Sequence, residues 1–350
     1  MEPENGAKCH DLLVKEAKPA LGFSPRADFG KWQGKLRAAF LSLTGLDRMP
    51  EKPVNPHFEI EHEEQKDGYR EIRFAFESEP HVTVPCYLLI PDTGKKKYPV
   101  VITMQGHSTG FHNSVGQVIY EEDKTYQPRG QFAIQAVREG YIALAIEQRG
   151  MGCRAAENTD FREVHPGRDR AGCHYEAMTA LLLGRTLIGE RCFDISCAID
   201  QLARFPECDL GKIAITGNSG GGTISYYAAA YDRRIGLSVP SCAFCTYGES
   251  IAKKYHCTCN YIPRALEYFD MQDIAGLIAP RPLSCINGIL DEIFLVNGVM
   301  RGFETVKAIY KKAGAPENCN LILTECGHWW CVDTVWQEVR RQMTALGWLV

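Results

Sequence analysis

The chain has 350 residues, 45% hydrophobic and 23% charged, which is enough for one large domain with a substantial core. Its 39 basic and 43 acidic residues leave a formal net charge of −4, which gives no electrostatic basis for binding nucleic acid. The opening "MEPENGAKCHDLLVKEAKPA" has no apolar segment or small-residue cleavage site, and runs such as "YIALAI" are too short to cross a bilayer, so a cytoplasmic protein without membrane partners is expected.

Residues 1 to 55 read as a helical, loop-rich N-terminal extension, in which "DFGKWQGKLRAAFLSLTGL" repeats apolar residues at helical spacing. Three strands follow in "HFEIEHEEQ", "YREIRFAFESE" and "HVTVPCYLLIP", the first two separated by the turn residues "KDG". From Tyr98 the pattern alternates. The strands "YPVVITMQG", "YIALAIEQRG", "GKIAIT", "IGLSVPS", "RPLSCING" and "NLILTE" are interleaved with helical stretches, ending in "CVDTVWQEVRRQMTALGW". Near-continuous apolar strands alternating with helices predict an α/β domain over residues 56–350, its mostly parallel central sheet covered by helices on both faces. Two polar stretches, at about 151–190 and 242–280, break the rhythm after a strand. Ligands in such folds bind beyond the carboxyl edge of the sheet, so both are expected to be lid-like insertions.

Fifteen cysteines in a chain without an export signal point to reduced thiols rather than disulfides, and Cys86, Cys197 and Cys285 sit in core-like positions. Cys242, Cys245, Cys257 and Cys259 form the one group with a ligand-like rhythm. The second pair is only one residue apart, unlike a zinc knuckle, so no metal is assigned to the group.

The chemistry concentrates in "ITGNSGGGTISYYAAA". A short strand, Gly217-Asn218-Ser219-Gly220-Gly221 and a helix make the G-x-S-x-G nucleophile elbow, which needs small residues where strand and helix approach. A serine hydroxyl needs a base, and the base needs an orienting acid. Two histidines lie downstream, and His328 in "ECGHWW" stands between the last strand and the last helix, where the base belongs. Asp291, ending the strand "RPLSCING" through Gly288-Ile289-Leu290, is the expected acid; its neighbour Glu292 has a longer side chain, and Glu249 is kept as a lesser candidate. The oxyanion hole is assigned to the backbone N–H groups of Gly220 and of His107 in the loop after "VVITM". Glu147 and Arg149 in "EQRGMG" are expected to form an ion pair holding their loop. Arg149 is also a candidate substrate contact, together with His112 and Trp329. No metal or organic cofactor is required.

The segments "VPCYLLIPDTGKKKYPVVITMQGH", "EQRGMG", "LLLGRTLIGERCFDISCAIDQLARFPECDLGKIAITGNSGGG", "DIAGLIAPRPL", "GILDEIF" and "ECGHWW", within about residues 82–345, resemble the acetyl xylan esterase-like group of the α/β-hydrolase superfamily. That group adjoins the dienelactone hydrolases and prolyl-oligopeptidase-type domains. The resemblance implies a triad of Ser219, Asp291 and His328, an acyl-enzyme and small-molecule or carbohydrate ester substrates such as acetylated sugars. Two departures bear on substrate: Gln105 stands where the group has histidine, and Leu295 where a proline is common. Three other readings remain: a prolyl-oligopeptidase-type peptidase, for which the chain leaves no space for a propeller domain, a non-catalytic hydrolase-fold binding protein and, most remote, a zinc-stabilised interaction protein. Assembly as a homo-oligomer is left open.

Overall fold

A computed structural model describes residues 5–155 and 171–349. Residues 156–170, the middle of the first expected lid, lie outside the described residues.

Nine strands form one sheet in the order β1-β2-β3-β5-β4-β6-β7-β8-β9. They are β1 (Phe58–Lys66), β2 (Tyr69–Glu79), β3 (Val82–Pro91), β4 (Tyr98–Met104), β5 (Ile142–Ile146), β6 (Cys208–Asn218), β7 (Ile235–Ser241), β8 (Leu283–Gly288) and β9 (Cys319–Thr324). The first three strands are antiparallel to their neighbours, whereas β5, β4, β6, β7, β8 and β9 run parallel. Alternation along each strand divides its side chains between the two faces. Val100, Ile102, Ile213 and Ile215 enter one core, and Val101, Ala143 and Ala214 the other. The edge strand β1, "FEIEHEEQK", is mostly exposed, and its charges discourage pairing with another chain.

Helices cover both faces, as the alternation predicts. The α-helices longer than one turn among the described residues are α1 (Gly6–Glu16), α2 (Phe29–Thr44), α3 (Phe132–Arg138), α4 (Ala171–Leu182), α5 (Leu187–Gln201), α6 (Gly220–Tyr231), α7 (Val296–Lys312) and α8 (Val332–Ala345). α2 starts at Asp28, whose carboxylate accepts the Lys31 amide (3.1 Å), and stops at Gly45 in the left-handed region (φ 73°). Its buried face of Trp32, Leu36 and Phe40 belongs to the same core as α5, α6 and the sheet. The side chain of Gln33 donates to the Gly276 carbonyl, and Arg37 to those of Ala230 and Tyr231, tying the helix to the body of the domain. All fifteen cysteines are free, with Cys86, Cys197 and Cys285 buried. No helix among the described residues is long and apolar enough to cross a membrane.

Candidate active site

At the end of β6, Ser219 sits at φ 55°, ψ −124°, a strained conformation that the following helix α6 helps to hold. Its amide donates to the Ser241 carbonyl (3.0 Å) and its carbonyl accepts from Thr223 (2.8 Å). The glycines on either side are sterically required: a Cβ at Gly217 or Gly221 would collide with the carbonyl of Met104 at the end of β4. The elbow read from sequence thus takes its shape from two neighbouring strands pressing on one turn.

The other two expected members converge from β8 and β9. His328 Nδ1 lies 2.9 Å from Asp291 Oδ2, and the carboxylate is fully buried. Its second oxygen accepts the amides of Ile293 (2.8 Å) and Phe294 (3.0 Å), which fixes the direction in which Asp291 points. The ring of Phe294 lies parallel to that of His328, with centroids 5.9 Å apart. His328 Nε2 is buried and has no hydrogen-bond partner among the described residues. Cys242, next in chain to the Ser241 that holds the Ser219 amide, joins the two elements to the elbow. Its sulfur, Asp291 and His328 offer atoms all within 4.8 Å of one another. Cys242 also carries a positive φ of 48°, a feature sequence reading did not mark.

The competing acids and bases are engaged elsewhere. Glu249 pairs with Lys253 and Arg301, and Glu292 is exposed. His256 sits against Phe294, with Nε2 3.0 Å from Ser250 Oγ; burial pulls its pKa down to about 4.

Around the elbow, the structure redistributes several expected roles. Gly106 lies directly beside Ser219, and the ring of His107 rests on Gly220, its Nδ1 2.9 Å from where a Gly220 Cβ would stand. The loop chosen for the second oxyanion donor therefore touches the elbow. The His107 ring is engaged by two cysteines, its Nε2 lying 3.7 Å from Cys173 Sγ and 3.3 Å from Cys259 Sγ. His112 is buried and hydrogen-bonded to Asp123 (3.0 Å), so it is not placed to touch substrate.

Arg149 is also not free for substrate. It is buried in an ion network with Asp194 (2.8 Å), Glu79 (2.7 Å) and Glu190 (3.4 Å), and Arg154 adds a second cation to Asp194. Burial raises the carboxyl pKa of Asp194, but Arg154 and Arg149 outweigh it and hold the group near 2. The expected Glu147–Arg149 pair does not form. Glu147 instead accepts from the Gln105 side chain (2.8 Å) and the amides of Phe111 and Cys153, and burial pushes its pKa up to about 7 against those hydrogen bonds. This carboxyl thereby anchors Gln105, next to Gly106 and His107 in the loop facing Ser219. Sequence reading named Glu147 but paired it with the wrong partner.

Trp329 alone of the three expected substrate contacts is open to solvent, 52% exposed beside His328, with the Arg129 guanidinium 3.1 Å above its ring. Leu290, 64% exposed and adjacent to Asp291, gives a second apolar surface there. The four-cysteine group disperses: Cys242 joins the Asp291–His328 pair, Cys245 bonds toward the Leu295 carbonyl, and only Cys257 and Cys259 remain together. A groove of about 470 Å³ between α1 and the segment around Tyr247, Ile251 and Tyr261 is lined by none of Ser219, Asp291 and His328.

Among solved structures, a Bacteroides fragilis NCTC 9343 protein described as an acetyl xylan esterase superposes with a TM-score of 0.78, covering 97% of this chain and 95% of its own at 19% identity. A glucuronoyl esterase from Solibacter usitatus gives 0.67 over 95% and 99% at 15% identity. These likenesses establish the α/β-hydrolase fold. By sequence, the protein is 25% identical over 253 residues to YtaP of Bacillus subtilis (strain 168), whose name places it among the hydrolases; the match spans 71% of this chain and 79% of that one. The model of the Abhydrolase family matches residues 7–235, from α1 through the Ser219 elbow to the start of β7, and the chain belongs to that family.

Proposed function

We propose that this protein is a serine carboxylic-ester hydrolase acting on short acyl esters of polar alcohols, acetylated carbohydrates foremost. One observation carries the reading: a histidine oriented by a buried, doubly hydrogen-bonded aspartate presents an unpartnered ring nitrogen in the cluster beside a strained serine elbow.

In this account His328 Nε2 takes the Ser219 proton as Oγ attacks the ester carbonyl, and Asp291 stabilises the imidazolium that forms. The amides of Gly220 and His107 receive the developing oxyanion. His328 returns the proton to the leaving alcohol, and an acyl-enzyme remains. Water deprotonated by the same nitrogen then releases the acid and frees Ser219. Chain order supports these roles, since serine, acid and histidine follow one another in the sequence familiar to this fold. The carbohydrate assignment draws on relatives of the same fold described as acetyl xylan and glucuronoyl esterases, and on the exposed Trp329 and Leu290, which offer apolar surface on which a sugar ring can rest. A cytoplasmic location belongs to the same proposal.

A panel of p-nitrophenyl acetate, p-nitrophenyl octanoate, acetylated xylo-oligosaccharides and a glucuronate methyl ester tests the substrate class. Preference for acetyl esters is expected. Turnover confined to the long-chain or uronate ester would contradict the assignment.

A further inference from the structure

The side chains of His107, Cys173, Cys257 and Cys259 take no part in the proposed ester chemistry, which uses only the backbone amide of His107. The ring nitrogen and three sulfurs come from three places: the loop after β4, helix α4, and the turn Thr258–Asn260 with its preceding residue. All four ligand atoms lie within 4.8 Å of one another. A zinc ion with bonds of about 2.3 Å to sulfur and about 2.0–2.1 Å to nitrogen has tetrahedral edges of about 3.6 Å between N and S and about 3.8 Å between sulfurs. The N···S separations of 3.7 Å and 3.3 Å from His107 Nε2 match the first of these. A single hydrogen bond between a thiol and an imidazole can have such a length, but here one ring nitrogen and three sulfurs gather within 4.8 Å of one another.

A second observation concerns charge. Arg191 is buried at 3% exposure, and its guanidinium donates to the Arg149 carbonyl (3.0 and 2.6 Å) and to Cys173 Sγ (3.1 Å). Among the described residues no carboxylate pairs with it. A buried cation requires a compensating charge. Three thiolates around a divalent ion carry a net charge of −1, and one guanidinium balances it.

We propose that these four residues form a closed Cys₃His zinc site. Binding takes one Zn²⁺ and three thiols, releases three protons, and uses the neutral His107 ring through Nε2, leaving no open position for a substrate. Thiolates select zinc over magnesium or calcium. The ion would tie together α4, the turn at 258–260 and the loop bearing His107, so pieces of both polar segments would be fastened beside the elbow. Because the His107 ring also rests on Gly220, the site would fix the oxyanion loop against Ser219.

The test is metal content of the whole protein, purified under reducing conditions and measured by mass spectrometry. Wild type is expected to hold about one zinc per chain, released by a mercurial that caps thiolates. Cys257→Ser and Cys259→Ser are expected to lose it, whereas the exposed Cys9→Ser retains it. Cys257 is half-buried, so its variant disturbs packing little. Circular dichroism checks that it is folded. Wild type stripped and reloaded with Co²⁺ should show the d–d and sulfur-to-metal bands of a tetrahedral thiolate site, and Cys257→Ser should not. Three results overturn the proposal: reduced wild type that takes up neither zinc nor cobalt, unchanged metal content in Cys257→Ser, or metal lost from His328→Ala but kept by Cys257→Ser. The last would put the ion on Cys242, Asp291 and His328. The inference stands apart from the esterase reading, since Ser219→Ala should keep its zinc whatever its activity.

Discussion

Asp291 gives one carboxylate oxygen to His328 Nδ1 at 2.9 Å and the other to the amides of Ile293 and Phe294. The acid is thereby aimed by its own turn, and a carboxylate at Nδ1 favours the tautomer of the neutral ring that carries its proton there and leaves the lone pair on Nε2. In Asp291→Asn the amide can keep a contact to the ring but favours the wrong tautomer, so kcat on p-nitrophenyl acetate is expected to fall about 10⁴-fold with little change in melting temperature. Glu249→Gln should stay within a few-fold of wild type. A larger loss from Glu249→Gln would reassign the acid.

Arg149 separates a structural role from a substrate role. Replacing it with Met leaves Glu79, Glu190 and Asp194 sharing a buried site with less cation, and breaking such a network costs about 3–5 kcal/mol. Urea unfolding of Arg149→Met should show that loss. An unchanged midpoint with a raised KM would instead make Arg149 a substrate contact.

Glu147 predicts a pH dependence of stability. Its carboxyl has a pKa of about 7 in the folded protein, above the unfolded value of about 4.3, so between these pH values the folded state holds the extra proton. Raising pH through that window therefore destabilises the fold, by at most about 4 kcal/mol from this group. Glu147→Gln cannot titrate and should show a flatter stability profile from pH 5 to 8. Parallel profiles for the two proteins would contradict the assignment.

Much of this was legible in the sequence because it is written locally. Alternation of apolar strands with helices foretold the parallel sheet, and the elbow needs only a handful of consecutive residues. Asp291 and His328 were found by their positions just after strands, where the sheet itself delivers side chains to one edge. The misreadings share a physical cause. Glu147 and Arg149 are two residues apart and opposite in charge, which suggests a pair, but each finds better partners from β2, α5 or the loop after β4, up to 70 residues away. The same holds for the sulfurs. Cys242 and Cys245 lie near Cys257 and Cys259 in the chain and suggest one group, yet Cys173 and His107 complete the quartet from 84 or more residues upstream, and no local signal announces that meeting. His112 looked accessible because its loop is polar, whereas Asp123 buries it.

The most direct test of the central claim is the rate of p-nitrophenyl acetate hydrolysis by wild type and Ser219→Ala, compared at equal, verified folding. The account predicts an active wild type and a variant slower by about 10⁴-fold or more. Equal turnover by the two proteins would contradict it, because the elbow would then hold no nucleophile.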